Sequence, residues 1–275
     1  MATQNGRDLT LYGGQDPRDL PAYPLDVAAS ILLLPKSTLK LWVFGDTWKE
    51  KSGIVRSFAP LIDPPDRDQH TLSFVNLVEA HVLKSLRRKH RVQMIQVRDA
   101  IEILKLKFDT LHPLADVDLL AGGARMYIDE VGQLLNVGMG NQIGMDFLRV
   151  YLARIDRNLD AISGANPALA PAIRLYPFVI APVQVGKRKT AKLVSEDRSK
   201  LISIDPYVYF GRPVIAGTGI PTEAIAERFW GGDSIPDVVR DFERSQAEIE
   251  YAIRYEYEQL AVAKARREPP REMAA

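Results

Sequence analysis

The chain has 275 residues, 46% hydrophobic and 26% charged, with 36 Lys and Arg against 35 Asp and Glu for a formal net charge of +1. That length accommodates two or three small domains with packed cores, and the charge balance excludes a wholesale polyanion binder. With no cysteine, the chain has no disulfides, thiolate nucleophiles or Cys-based zinc sites, and it fits a reducing cytoplasm.

No apolar run approaches the roughly 20 residues of a membrane-spanning helix, and no signal peptide opens the chain, so a cytoplasmic protein without a membrane partner is expected. His70, His81, His90 and His112 show no ligand-like spacing, so no metal is expected. The near-neutral average conceals a contrast. Residues 84–91, "KSLRRKHR", are basic, whereas 233–258 carry eight carboxylates against Arg240, Arg244 and Arg254. Such asymmetry points to two different partners.

In chain order, the first 20 residues are polar and are expected to be loose. Asp26 is placed to N-cap a short helix with Val27, Ala28 and Ile31 on one face. "LLLP" breaks it, since Pro35 disfavours helical geometry at Leu34. Ser37 or Thr38 then caps a second short helix with Leu39 and Trp42 inward, and two short helices across so tight a turn read as a helix-turn-helix. Alternation over 53–74 around "DPPDRD" predicts a hairpin, and the apolar spacing from Leu77 to Leu104 predicts two helices broken near 90–93.

Further on, "RMYIDE" (125–130) reads as a strand. A long amphipathic helix follows over about 141–159, its stripe formed by Ile143, Phe147, Leu148, Tyr151, Leu152, Ile155 and Leu159. That stripe is a candidate homodimer contact, with an intrachain core as the alternative. "RLYPFVIAPVQV" and "KLVSEDRSKLISI" read as strands, and three helices are expected at about 222–230, 235–243 and 245–259, with 261–275 a disordered tail.

A recognition helix needs polar residues at its N-terminal turn and an apolar back. Lys36, Ser37, Thr38 and Lys40 meet the first need; Arg56 and Arg67 on the hairpin, with Arg87 and Arg88 in the basic cluster, are placed to meet flanking phosphates. A small helical core with solvated lysines fits the same pattern. Residues 20–106, from "YPLDVAASILLLPKSTLKLW" through the hairpin to "RDAIEIL", resemble the MerR-like winged-helix family. The most specific piece is "STLKLW", in which Lys40 stands where the family has arginine; it keeps the charge but loses the bidentate fork. The resemblance implies DNA binding.

The stretch "GRPVIAGTGIPTEAIAERF" superficially looks like a phosphate cradle. It lacks both the third glycine of a dinucleotide fingerprint and the Gly-Lys-Ser/Thr of a Walker loop. Gly211, Gly217 and Gly219 are therefore read as turn glycines with positive φ, and Pro221 and Thr222 as a helix start. Residues 201–258 closely resemble the prokaryotic domain-of-unknown-function family 433, described as a three-helix, homeodomain-like module. Its members are commonly antitoxins paired with PIN-like ribonuclease toxins, and the resemblance implies that pairing. Glu248, Glu250, Glu256 and Glu258 make the last helix a poor groove reader, so it is read as a protein-contact module, with Ser245 as its N-cap. Arg266, Arg267 and Arg271 are candidates for contacting a carboxylate-lined nuclease site, although a solvated terminus reads equally well.

The expected fold is α+β, mostly α. A winged helix-turn-helix (20–107) is followed by a central strand and helix region (108–200), a three-helix domain (201–260) and the tail. The expected function is that of a DNA-binding antitoxin of the VapB type, dimeric and without cofactor or catalysis, that neutralises a PIN-like ribonuclease and represses its own operon. A MerR-like regulator without a toxin is the alternative.

Overall fold

A computed structural model of the chain describes residues 3–4, 7–50, 52–90, 94–119, 149–158, 169–178, 180–185, 188–193 and 200–267. The side chains at 3–4, 7–8, 86–90, 180–185, 188–193 and 262–267 are not among those described. The fold is α+β, with helices and small two-stranded antiparallel sheets. It divides into one unit of residues 1–29 and 34–175 and a second of 30–33 and 176–275.

The first unit begins with β1 (Thr3–Gln4) against β2 (Arg7–Asp8) and a 3-10 turn at Thr10–Tyr12, followed by an Arg18–Asp16 ion pair, so the expected loose leader carries local structure. β3 (Tyr23–Pro24) pairs with β6 (Thr71–Leu72). Between them lie α1 (Leu25–Ile31), α2 (Lys36–Phe44) and a hairpin of β4 (Asp46–Lys49) and β5 (Val55–Phe58). Helices α3 (Phe74–His90), α4 (Met94–Phe108) and α5 (Pro113–Asp116) follow, then β7 (Ile155–Arg157) against β8 (Ala172–Leu175).

Chain chemistry explains the boundaries. Asp26 lies inside the first turn of α1 rather than capping it. The helix stops at Ile31, before the reach of Pro35. The Leu33 N–H donates to Ser30 and the Leu34 N–H to Ala29, with Leu33 at φ 51, a Schellman stop that glycine usually fills. Helix α2 starts after Pro35 with no side-chain cap, so neither Ser37 nor Thr38 has that role. α3 is capped reciprocally: Ser73 N–H donates to Asn76 Oδ1 and Asn76 N–H to Ser73 Oγ, at 3.1 and 3.2 Å.

The core of this unit includes Leu39, Trp42, Val43, Leu77, Val78, Val82, Leu83, Ala100, Ile101 and Leu104. Val27 and Ile95, expected inward, are exposed. The imidazole of His81 is buried, with Nε2 3.0 Å from the Tyr151 carbonyl and its ring 5.0 Å from the Tyr151 ring. Burial, with Lys84 and Arg154 nearby, pushes its pKa down to about 3.

The expected long helix ends sooner than its apolar spacing suggests: helical geometry covers 149–152, and Ile155 lies on β7. Tyr151, Leu152 and Ile155 are buried within the chain, so they form intrachain core and not an exposed dimer stripe. A three-residue helical spacing and the start of a strand place the same apolar residues inward, and the sequence pattern does not separate them. Ile143, Phe147, Leu148, Leu159 and the strand expected at 125–130 lie outside the described residues.

In the second unit β9 (Ile180–Val185) and β10 (Arg188–Leu193) form a hairpin. β11 (Ile202–Ser203) pairs with β12 (Val214–Ile215), leading into α6 (Thr222–Trp230), α7 (Ile235–Phe242) and α8 (Gln246–Arg267). Ile215, Ile225, Val238, Ile249 and Ala252 form one core cluster, and Ile202, Tyr251 and Tyr255 a second. Helices α7 and α8 each begin with a capping box: Ser234 with Asp237, and Ser245 with Glu248. Helix α8 continues to Arg267, so the segment expected to be loose from 261 starts as helix.

Candidate nucleic-acid interface

Helices α1 and α2 meet at 119° across a four-residue break, the geometry of a helix-turn-helix. On α2, Leu39, Trp42 and Val43 are wholly buried, and this fixes which face turns outward. Lys36, Ser37 and Lys40 are exposed on that face, and Thr38 is half-buried at its edge. The first turn of α2 contains no acidic residue. The Thr38 and Leu39 N–H groups donate to the Pro35 carbonyl, and two ammonium groups beside the positive end of the helix dipole favour anions there. Among the described residues no single helix is long and apolar enough to cross a membrane; α1 and α2 together pass by length and composition but are sharply bent.

The hairpin lies nearer the helix than its turn chemistry suggested. Its strands are 46–49 and 55–58, registered as Asp46 with Phe58, Thr47 with Ser57, Trp48 with Arg56 and Lys49 with Val55. Gly53, at φ 87, makes the turn, with Glu50 N–H donating to Ile54 and Gly53 N–H to Glu50. The proline-rich "DPPDRD" segment instead forms a loop, because prolines lack the N–H a ladder needs. Ser52-Gly53 is the signal that marks the true turn.

Arg56 therefore stands on the hairpin, its Nε 3.0 Å from Glu50 in an exposed pair that solvent screens and a phosphate can replace. Arg67 does not: it sits in the following loop, 2.7 Å from Asp63. Arg87 and Arg88 lie on α3, with side chains outside those described. Residues missed by the sequence reading are the exposed Trp48 and Lys49 on the hairpin and Arg98 at its root.

The hairpin root is tied to the helices in three ways. The Trp42 carbonyl accepts N–H groups from Leu61 and Ile62, at 2.7 and 3.1 Å. Gly45 ends α2 at φ 71 and ψ −170, where a β-carbon would collide with the Phe58 carbonyl. Arg98 from α4 donates to the Ala59 carbonyl and lies over the Phe58 ring. The result is one assembly of α2 and hairpin.

The glycine-rich loop of the second unit is closed on itself. The N–H groups of Ile215, Ala216, Thr218 and Thr222 all donate to backbone carbonyls of the chain, and Ile220 N–H donates to Thr218 Oγ1. Gly211 and Gly217 have positive φ, but Gly219 does not, and Pro221 precedes α6 as its N-cap residue rather than opening it. Tyr209 and Phe210, at φ 47 and 53, precede Gly211 on an exposed turn that Arg212 anchors to Glu223 at 2.9 Å. Arg228 bridges Asp233 and Asp241, and Arg240 pairs with Asp237, so the charges of these two arginines are already matched. Arg266 and Arg267 fall at the end of α8, and Arg271 lies outside the described residues.

Comparison with known proteins adds likenesses of three kinds. Residues 21–101 match a family described as "Putative DNA-binding HTH domain", and residues 202–255 match one described as "Protein of unknown function (DUF433)". Two proteins of Mycobacterium tuberculosis (strain ATCC 25618 / H37Rv) are similar along most of the chain. "Uncharacterized protein Rv2308" is 24% identical over 239 residues, covering 86% of this chain and 90% of the relative. "Putative antitoxin VapB45" is 26% identical over 233 residues, covering 82% and 89%. Among solved structures, the X-ray crystal structure of Rv2018 from Mycobacterium tuberculosis shares the fold. Its TM-score is 0.54 at 22% identity, covering 86% of this chain and 98% of that one.

Proposed function

We propose that this chain is a DNA-binding antitoxin that neutralises a PIN-like ribonuclease and represses its own operon as a homodimer in the cytoplasm. The observation that carries the DNA-binding part is the outward turn of α2: Lys36, Ser37 and Lys40 project over a wholly buried Leu39, Trp42 and Val43. The hairpin acts as a wing, with Arg56 exchanging Glu50 for phosphate. The antitoxin part is supported by the similarity to a protein named "Putative antitoxin VapB45" and by the acidic stretch 201–260 of the second unit, whose carboxylates suit a protein partner better than nucleic acid. The internal bonds of the Ile215, Ala216, Thr218, Ile220 and Thr222 amides support a scaffold role for the glycine-rich loop.

Two measurements test the reading. Retardation of the chain's own upstream DNA should weaken for Lys36→Ala/Lys40→Ala, and the slope of log affinity against log salt should fall by about 1 to 2. Co-purification with the product of the adjacent gene, followed by a ribonuclease assay, tests the toxin part. Full-length protein that leaves that DNA unretarded at low salt would overturn the first; DNA binding without a ribonuclease partner would overturn the second and favour a regulator.

A further inference from the structure

The hairpin of β4 and β5 is exposed on both faces along nearly its whole length. Trp48, Ile54 and Val55 are 47%, 51% and 64% exposed, three large apolar side chains on one projecting element. A two-stranded ribbon this short is marginal in water and gains nothing from showing them to solvent. Antiparallel partners share a face, so Trp48 lies beside Arg56 on one face and Val55 beside Lys49 on the other, with Ile54 at the turn. Each face of the ribbon therefore couples one apolar side chain with one cation.

That coupling suits a duplex groove, where phosphates line both walls and sugars and base steps take apolar contacts. The position of the hairpin names this occupant. It lies inside residues 21–101, the segment similar to a DNA-binding helix-turn-helix domain. Its root is fixed to α2 by the Trp42 carbonyl and by the close approach of Gly45 to Phe58. The five residues from Ala59 back to Ile54 reach about 16 Å at roughly 3.3 Å per residue. Half a helical turn of duplex is about 17 Å, so a hairpin anchored beside a helix in the major groove reaches the adjoining minor groove.

We propose that the hairpin enters that minor groove and that Trp48 is an apolar wedge there, opening one base step and bending the duplex. The inference rests on the DNA-binding reading given above and adds to it a specificity-determining residue and a kind of DNA. Arg56 and Lys49, on opposite faces of the ribbon, meet phosphates on opposite walls of the groove, while the indole enters between two bases. Pyrimidine–purine steps unstack most easily. The chain therefore prefers DNA that carries such a step about half a turn from the bases facing α2.

The test uses the full chain and its own upstream DNA, in circularly permuted fragments whose mobility reports a bend. The wild type should bend the duplex by about 20–90°. Trp48→Ala should lose most of that bend and about tenfold in affinity. Its slope of log affinity against log salt should match the wild type, because no charge is removed. Trp48→Phe keeps a ring and should keep most of the bend, and both variants should melt with the wild type because the residue is exposed. Lys49→Ala and Arg56→Ala should instead lower the salt slope by about 1 each and leave most of the bend. A wild type that leaves the DNA unretarded at low salt would overturn the DNA-binding reading itself. DNA bound without a bend, or a bend that Trp48→Ala retains in full, would overturn the wedge alone.

Discussion

The guanidinium of Arg98 lies 5.1 Å from the centre of the Phe58 ring, joining α4 to the last strand residue of the exposed hairpin. The same side chain donates to the Ala59 carbonyl, and its Nε is buried without a hydrogen-bond partner. The residue as a whole is half-buried, and these two contacts link α4 to the root of the hairpin. Arg98→Met keeps the stem and removes both contacts. Amide exchange over 46–58 should accelerate, while amides of Leu39 to Val43 keep their protection; unchanged exchange in the hairpin would show that Arg98 does not hold it.

Gly45 occupies a backbone region, φ 71 and ψ −170, that is essentially restricted to glycine, with the Phe58 carbonyl where a side chain would begin. Gly45→Ala should destabilise the first unit by roughly 1–3 kcal/mol. Denaturant unfolding measures this directly. The variant should also bind DNA less tightly, since hairpin and α2 can no longer share one geometry. A melting curve matching that of the wild type would contradict the argument.

Two histidines make opposed contributions to the pH dependence of stability. His81 has its pKa pushed down to about 3 by burial, so between that value and 6.5 the unfolded chain binds the proton that the folded chain refuses. Stability therefore falls as pH drops through that window, at up to about 1.4 kcal/mol per pH unit. At His112 burial lowers the pKa, but the Glu79 hydrogen bond and the charges of Glu79, Asp116 and Asp19 outweigh it and raise the value above 6.5. Its stabilisation is full below the unfolded value and is lost as pH rises through the folded one. His81→Gln should flatten the acid limb of the unfolding profile, and His112→Gln the limb above neutrality. An acid limb of equal slope in His81→Gln would exclude His81 as its cause.

Glu243 closes α7 at φ 52, with its N–H and that of Arg244 donating back to Arg240 and Val239. The position is exposed and left-handed, a conformation that costs most residues about 1 kcal/mol and asparagine less. Glu243→Asn should raise the stability of the second unit by about 0.5–1 kcal/mol, read as an increased melting temperature. Glycine should gain less, because it adds freedom to the unfolded chain.

The amphipathic spacing of the sequence by itself determined the two helices from Leu77 to Leu104, the three helices after Pro221, and the inward set of Leu39 and Trp42. Capping chemistry did the same for Ser245, whose hydroxyl meets an N–H three residues on. These are local properties, fixed by a period or a short-range hydrogen bond. The exposed positions of Lys36, Ser37 and Lys40 followed from the same helical phase. Tertiary structure decided the rest. Residues 46–49 pair with 55–58 because the prolines of 60–65 cannot join a ladder, which moved Arg67 off the hairpin and brought Arg98 to its root from another helix. Tyr151, Leu152 and Ile155 are apolar in either reading, and only the neighbours His81 and β8 settle that they are interior. A pattern of residue types reports which faces are apolar; what covers each face is a matter of contacts distant in sequence.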